Sequence, residues 1–138
     1  MPVNKKKFRI WLILSVIWIA IIFAHSAMPA EVSRQESLGI LAWLTRFLPK
    51  LSHHTLRKLG HMAEFGILGL LFTGCFWRYG DFRFRKPVLG GLTVAFLDET
   101  LQLFVSGRSG EVRDIWIDLG GVFCGTLLMW ILFKIRKK

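Results

Sequence analysis

Four stretches of this chain, at 8–26, 59–77, 87–105 and 115–133, are each close to the length of about 20 mainly apolar residues that a helix needs to cross a hydrocarbon core. Clusters of basic residues punctuate them. Lys5, Lys6, Lys7 and Arg9 open the first stretch, Arg78, Arg83, Arg85 and Lys86 fill the gap between the second and third, and Lys134, Arg136, Lys137 and Lys138 close the chain. A net charge of +10 beside 53% hydrophobic residues is therefore not a basic face. It is a set of membrane-span flanks, and the absence of a basic surface interleaved with base-stacking aromatics argues against a nucleic-acid partner.

The pattern predicts an all-α fold: an integral membrane four-helix bundle over a single domain, residues 1–138, since no linker or low-complexity stretch divides the chain. Gly121 and Gly125 stand at small-xxx-small spacing, and Gly66, Gly69, Gly90 and Gly91 lie in the middle spans. Small residues let helix backbones approach closely in lipid, so a tight bundle is expected. The first stretch also resembles a cleaved signal peptide, with Ala24, His25 and Ser26 at the cleavage position. Its uninterrupted apolar run with two tryptophans favours a retained span. Cys75 and Cys124 lie at different depths and read as apolar filler.

Lys and Arg enrichment on the cytoplasmic side sets direction. The amino terminus, the 78–86 connection and the carboxyl terminus hold four each. The 27–58 and 106–114 connections hold five and two, interspersed with acids. Both termini are therefore expected in the cytoplasm. In the first outer loop Ser33 and Glu36 read as a capping box opening a short interfacial helix, whose apolar residues run from Leu38 through Leu48 to a stop at Pro49. Too short to span, it would lie on the outer surface or fold over the mouth of the bundle.

Placed on these spans, the ionisable residues gather at one level. His61 and Glu64 begin the second span from outside, Asp98, Glu99 and Gln102 end the third, and Asp114 and Asp118 begin the fourth. At ~1.5 Å per residue all lie within about 10 Å of the outer boundary. Spacings of three and four put each set on one helical face, and the cost of turning a charge to lipid, at least about 2.5 kcal/mol, requires that face to look inward. Lys58, Arg108 and Arg113 stand close by as cations. Structural ion pairing between helices and a functional site are both consistent with this arrangement.

Ser26 to Pro29, the run Arg57-Lys58-Leu59-Gly60-His61-Met62-Ala63-Glu64-Phe65, the run Asp98-Glu99-Thr100-Leu101-Gln102-Leu103-Phe104 with Arg108, and Asp114, Asp118, Gly121 and Gly125 together resemble the VanZ-like family. The resemblance covers nearly the whole chain beyond the first span. It implies a bacterial cytoplasmic-membrane protein, whose founding relative is associated with resistance to the lipoglycopeptide teicoplanin, and an enzyme acting on lipid head groups or lipid-linked cell-envelope precursors in the outer leaflet.

On that expectation Arg108 and Arg113 clamp a phosphate, where guanidinium geometry suits bidentate contact. His61 acts as general base or nucleophile, oriented by Glu64 or Asp114, and Asp98 or Glu99 is the second proton-transfer group. Lys58, Gln102 and Asp118 complete the substrate-binding set. No dense ligand motif such as HExxH is present, so no metal site is assigned, although His61, Glu64 and one acid could hold a divalent cation as cofactor. The alternatives are a non-catalytic binder of lipid-linked precursor or lipoglycopeptide, and a structural membrane protein with ion-paired helices. A transporter would show midplane charges and inverted repeats, which this sequence lacks.

Overall fold

A computed structural model describes residues 4–47 and 52–136, apart from the Glu36 side chain, and in them the chain forms five α-helices and no strand. Helix α1 (Lys5–Ser26) starts on Asn4, whose side-chain oxygen accepts from the Lys7 N–H at 3.0 Å and satisfies one of the donors a helix start leaves open. Helix α2 is Ala30–Leu44, α3 is His53–Tyr79, α4 is Arg85–Gln102 and α5 is Val112–Ile135. Ser52 caps α3 by accepting from the Thr55 N–H at 3.1 Å. Gly80 ends α3 in the left-handed conformation, φ 84°. Gly80→Ala should cost about 1 kcal/mol, because a Cβ is disfavoured there, and thermal unfolding in detergent would measure the loss.

The helices are patterned inside out. Buried positions include Ser15, Ser26, Thr73, Asp98, Glu99, Gln102, Asp118 and Thr126, while Ile13, Val16, Ile17, Leu89, Phe96 and Leu97 are half or more exposed. A surface of that kind in water would be a large aggregation liability, whereas in lipid it is the solvated face. Helices α1, α3 and α5 are long and apolar enough to cross a membrane. Helix α4 is not in that group, although its stretch reads as a fourth span. It stops at Gln102 rather than residue 105, and it carries Arg85 and Lys86 at one end and Asp98 and Glu99 at the other. Its buried residues, Pro87, Gly91, Val94, Ala95, Asp98, Glu99 and Gln102, recur at helical spacing along one face, which turns both acids inward.

The helix pair α3 and α5 forms the spine. A Cβ added at Gly121 would run into the Met62 carbonyl, one at Gly125 into the Gly66 carbonyl, and one at Gly69 into the backbone of Val122. These glycines permit backbone-to-backbone contact along both helices, as their spacing predicts. Phe65, Leu68, Val94, Ala95, Val122 and Ile22 then fill the centre.

The two ends of the bundle differ in chemistry. At one end the Asn4 N–H donates to the Arg78 carbonyl, Phe8 packs on Tyr79 at 5.2 Å, Trp77 stacks on Phe133 at 4.9 Å, and Lys134 lies 4.2 Å from the Trp130 ring. Lys86 pairs with Asp81 there. Both ends of the described chain and the 78–86 connection therefore share one basic, aromatic end. The described acids, apart from Asp81, lie at the other.

Helix α2 starts earlier than the capping-box reading places it. Pro29, with its φ held at −53°, is the N-cap, and its carbonyl accepts from the Ser33 N–H at 3.1 Å. Ser33 therefore sits inside the first turn, and the Glu36 side chain, Leu48 and Pro49 lie outside the described residues. The helix gives out at Leu44, before Phe47. The Ala30 N–H donates to the Ser106 carbonyl at 3.2 Å, which ties the start of α2 to the loop between α4 and α5.

Candidate functional site

The end of α1, the first turns of α3, the end of α4 and the start of α5 meet at the acidic end of the bundle. Helical phase brings Ser26, Asp98, Glu99, Gln102 and Asp118 to the interior, while His25 stays about half exposed. Ser26, fully buried, donates to Asp98 Oδ2 at 2.8 Å, and Gln102 Nε2 donates to the same oxygen at 3.0 Å and to Glu99 Oε1 at 3.3 Å. Glu99 Oε2 accepts the Glu111 N–H at 2.8 Å. Both oxygens of Glu99 are thus engaged, and the residue ties α4 to the start of α5.

Glu64 pairs with His25 Nδ1 across α1 and α3, while its backbone carbonyl accepts from Trp18 Nε1 at 2.9 Å. Lys58 and Asp114 form a half-buried ion pair at 2.8 Å. Neither acid hydrogen-bonds His61, so the expectation that Glu64 or Asp114 orients it is not met. Arg113 is exposed and makes no hydrogen bond or ion pair with the described residues, so it stands outside the constellation.

A cavity of about 300 Å³ opens between α1, α3 and the loop carrying Arg108. His25, Arg57, His61, Glu64 and Arg108 line it, and Ser33, Ser37 and Ile40 of α2 form its remaining wall. Helix α2 is thus folded over the mouth rather than standing away from it. Arg108 is docked by donating from Nε to the Met28 carbonyl at 2.8 Å and from an Nη to the His25 carbonyl at 3.1 Å. Burial, and after it the like charge of Arg57, lowers its pKa from the ordinary value. Two guanidinium groups facing one hollow are a poor arrangement for an empty pocket and a good one for an anion.

Behind this cavity lie His61, Asp98 and Asp118, one ligand atom of each within 4.8 Å of the others. They come from α3, α4 and α5, and they are the described residues that could hold a metal ion. Glu64, turned to His25, is not among them.

A protein-family model described as VanZ/LLP1 matches residues 11–133. The chain belongs to the VanZ/LLP1 family. No curated protein and no solved structure matches it. In this VanZ/LLP1 chain the matched segment contains the described buried polar residues of α1, α3, α4 and α5, from Ser15 to Thr126.

Two lining residues of the VanZ/LLP1 cavity, His25 and Arg57, lie outside the candidate set that the sequence spacing gives. His25 ends α1, where depth alone leaves its partner open, and Arg57 precedes the apolar part of α3 and reads as a flank. The signal for both was position: each lies within a turn of the level at which His61 and Glu64 stand.

Proposed function

We propose that this protein is a four-span bacterial membrane enzyme that hydrolyses or exchanges phosphate-linked head groups of lipids or lipid-linked envelope precursors at the outer leaflet. The observation that carries this reading is the cavity that combines two guanidinium groups, Arg57 and Arg108, with a paired imidazole and carboxylate, His25 and Glu64. Arg57 and the remaining N–H groups of Arg108 hold the phosphate, and the His25–Glu64 pair moves the proton to or from the attacking hydroxyl or water. His61 closes the inner wall. Exposed Leu89, Phe96 and Leu97 on α4 keep acyl chains beside the bundle while the head group enters under α2. Arg108 acts chiefly as a positioning residue, since it binds the carbonyls of His25 and Met28 at the end of α1.

In this orientation the basic end, with both termini, faces the cytoplasm, as the Lys and Arg distribution requires. Helix α4 crosses with Asp98 and Glu99 held in protein rather than lipid and with Arg85 and Lys86 at its cytoplasmic end, which lowers the insertion cost that its composition alone carries. Action on lipid-linked envelope precursors would lower teicoplanin susceptibility in cells that express the protein.

The test is turnover by purified protein in vesicles presenting phospholipids and polyprenyl-linked precursors. Arg57→Ala should raise KM about 10- to 100-fold, the loss of a charge-assisted contact worth about 1.5–3 kcal/mol. Binding of the same lipids without any turnover would leave a non-catalytic binder, and neither binding nor turnover would leave a structural bundle.

A further inference from the structure

Asp118 is 1% exposed and neither of its carboxylate oxygens has a hydrogen-bond partner among the described residues. Asp98 is fully buried and, with Oδ2 satisfied by Ser26 and Gln102, leaves Oδ1 without one. His61 Nδ1 is also buried and unpartnered. Buried polar atoms are nearly always satisfied, and here several unpartnered ones fall in one place, on three different helices. Among the described residues no Lys or Arg forms an ion pair with Asp98 or Asp118: Lys58 pairs with Asp114, and Arg108 is docked on two backbone carbonyls.

We infer that His61, Asp98 and Asp118 form a binding site for one divalent transition-metal ion at the floor of the cavity. Two carboxylates and one dication sum to zero charge, which meets the main objection to burying both acids. Three protein ligands from three helices leave coordination positions open towards the cavity, because His61 lines both. The mixed nitrogen and oxygen set suits Zn²⁺ or Mn²⁺ better than Mg²⁺ or Ca²⁺, whose shells are built from oxygen. Donors about 2.0–2.2 Å from a common ion stand about 3–4 Å apart, so the present spacing of up to 4.8 Å closes by side-chain rotation of roughly 1 Å. The outer partners are already set: Ser26 and Gln102 donate to Asp98 Oδ2 and fix the plane of its carboxylate, as hydrogen-bond donors behind a ligating carboxylate commonly do.

Cation binding is separable from lipid turnover and is tested without substrate. Tag-free protein in detergent, stripped with a chelator, should bind one Mn²⁺ per chain, displaced by Zn²⁺ and not by Mg²⁺. Asp118→Asn and His61→Ala should each weaken binding at least about tenfold, while Glu31→Gln on the exposed face of α2 leaves it unchanged. Circular dichroism checks that the isosteric Asp118→Asn variant keeps its helices. If the variants do not fold, ¹⁵N-histidine-labelled protein decides: its bound Mn²⁺ should couple to one imidazole nitrogen, and the coupling should persist in His25→Gln. No stoichiometric binding, binding that survives both ligand substitutions, or no imidazole coupling would each overturn the inference.

Discussion

Gly125→Ala is expected to unfold the bundle's spine at a cost of at least about 2 kcal/mol, and Gly120→Ala, one substitution of the same kind five residues earlier, is expected to cost nothing. The contrast comes from what each new methyl group meets. At Gly125 it would run into the Gly66 carbonyl and come within 3.1 Å of the Leu70 nitrogen, both main-chain atoms of α3 that cannot rotate away. Relief requires α3 and α5 to move apart, which also opens the contact at Gly121, whose added Cβ would lie 3.1 Å from the Gly66 nitrogen. At Gly120 nothing lies within 4 Å, so the methyl enters open space and helix propensity favours it by up to about 1 kcal/mol. Thermal unfolding of both proteins in one detergent, followed by tryptophan fluorescence, gives the comparison. Equal melting temperatures would mean that α3 and α5 do not touch backbone to backbone.

That contact was legible in advance, since Gly121 and Gly125 sit four residues apart in an apolar run and such spacing has few other uses. That the polar residues share one end of the bundle was legible too, because helical rise converts residue offset into height along each helix. Rotation about the helix axis was not. Helix α1 is apolar around most of its circumference, so nothing in its sequence says that His25 turns towards α3, and the partner of Glu64 lies 39 residues away. Chain proximity misled for Arg113: it stands one residue before Asp114, but adjacent residues on a helix diverge by about 100°, so the acid faces Lys58 while the arginine faces out. The start of α2 was misplaced because two start signals compete at Pro29 and Ser33. Proline prevails through its fixed φ and the fold-back of Ala30 onto Ser106.

Glu64→Gln should lower lipid turnover by about 10²- to 10⁴-fold, the range a positioned acid or base contributes, with helix content unchanged. Gln keeps the length and the acceptor that His25 needs, but it removes the carboxylate that can take up and return the proton in this pair. His25→Gln should cost about as much. The informative measurement is the double variant. Groups that act as a unit lose their function once, so the His25→Gln, Glu64→Gln protein should be no slower than either single variant. If the two losses multiply instead, His25 and Glu64 serve separate steps. If turnover survives both substitutions, proton transfer belongs to another group and the pair is only a clasp between α1 and α3. Unchanged KM with reduced kcat distinguishes loss of chemistry from loss of binding. Binding is the part played by Arg57, whose substitution should move KM first.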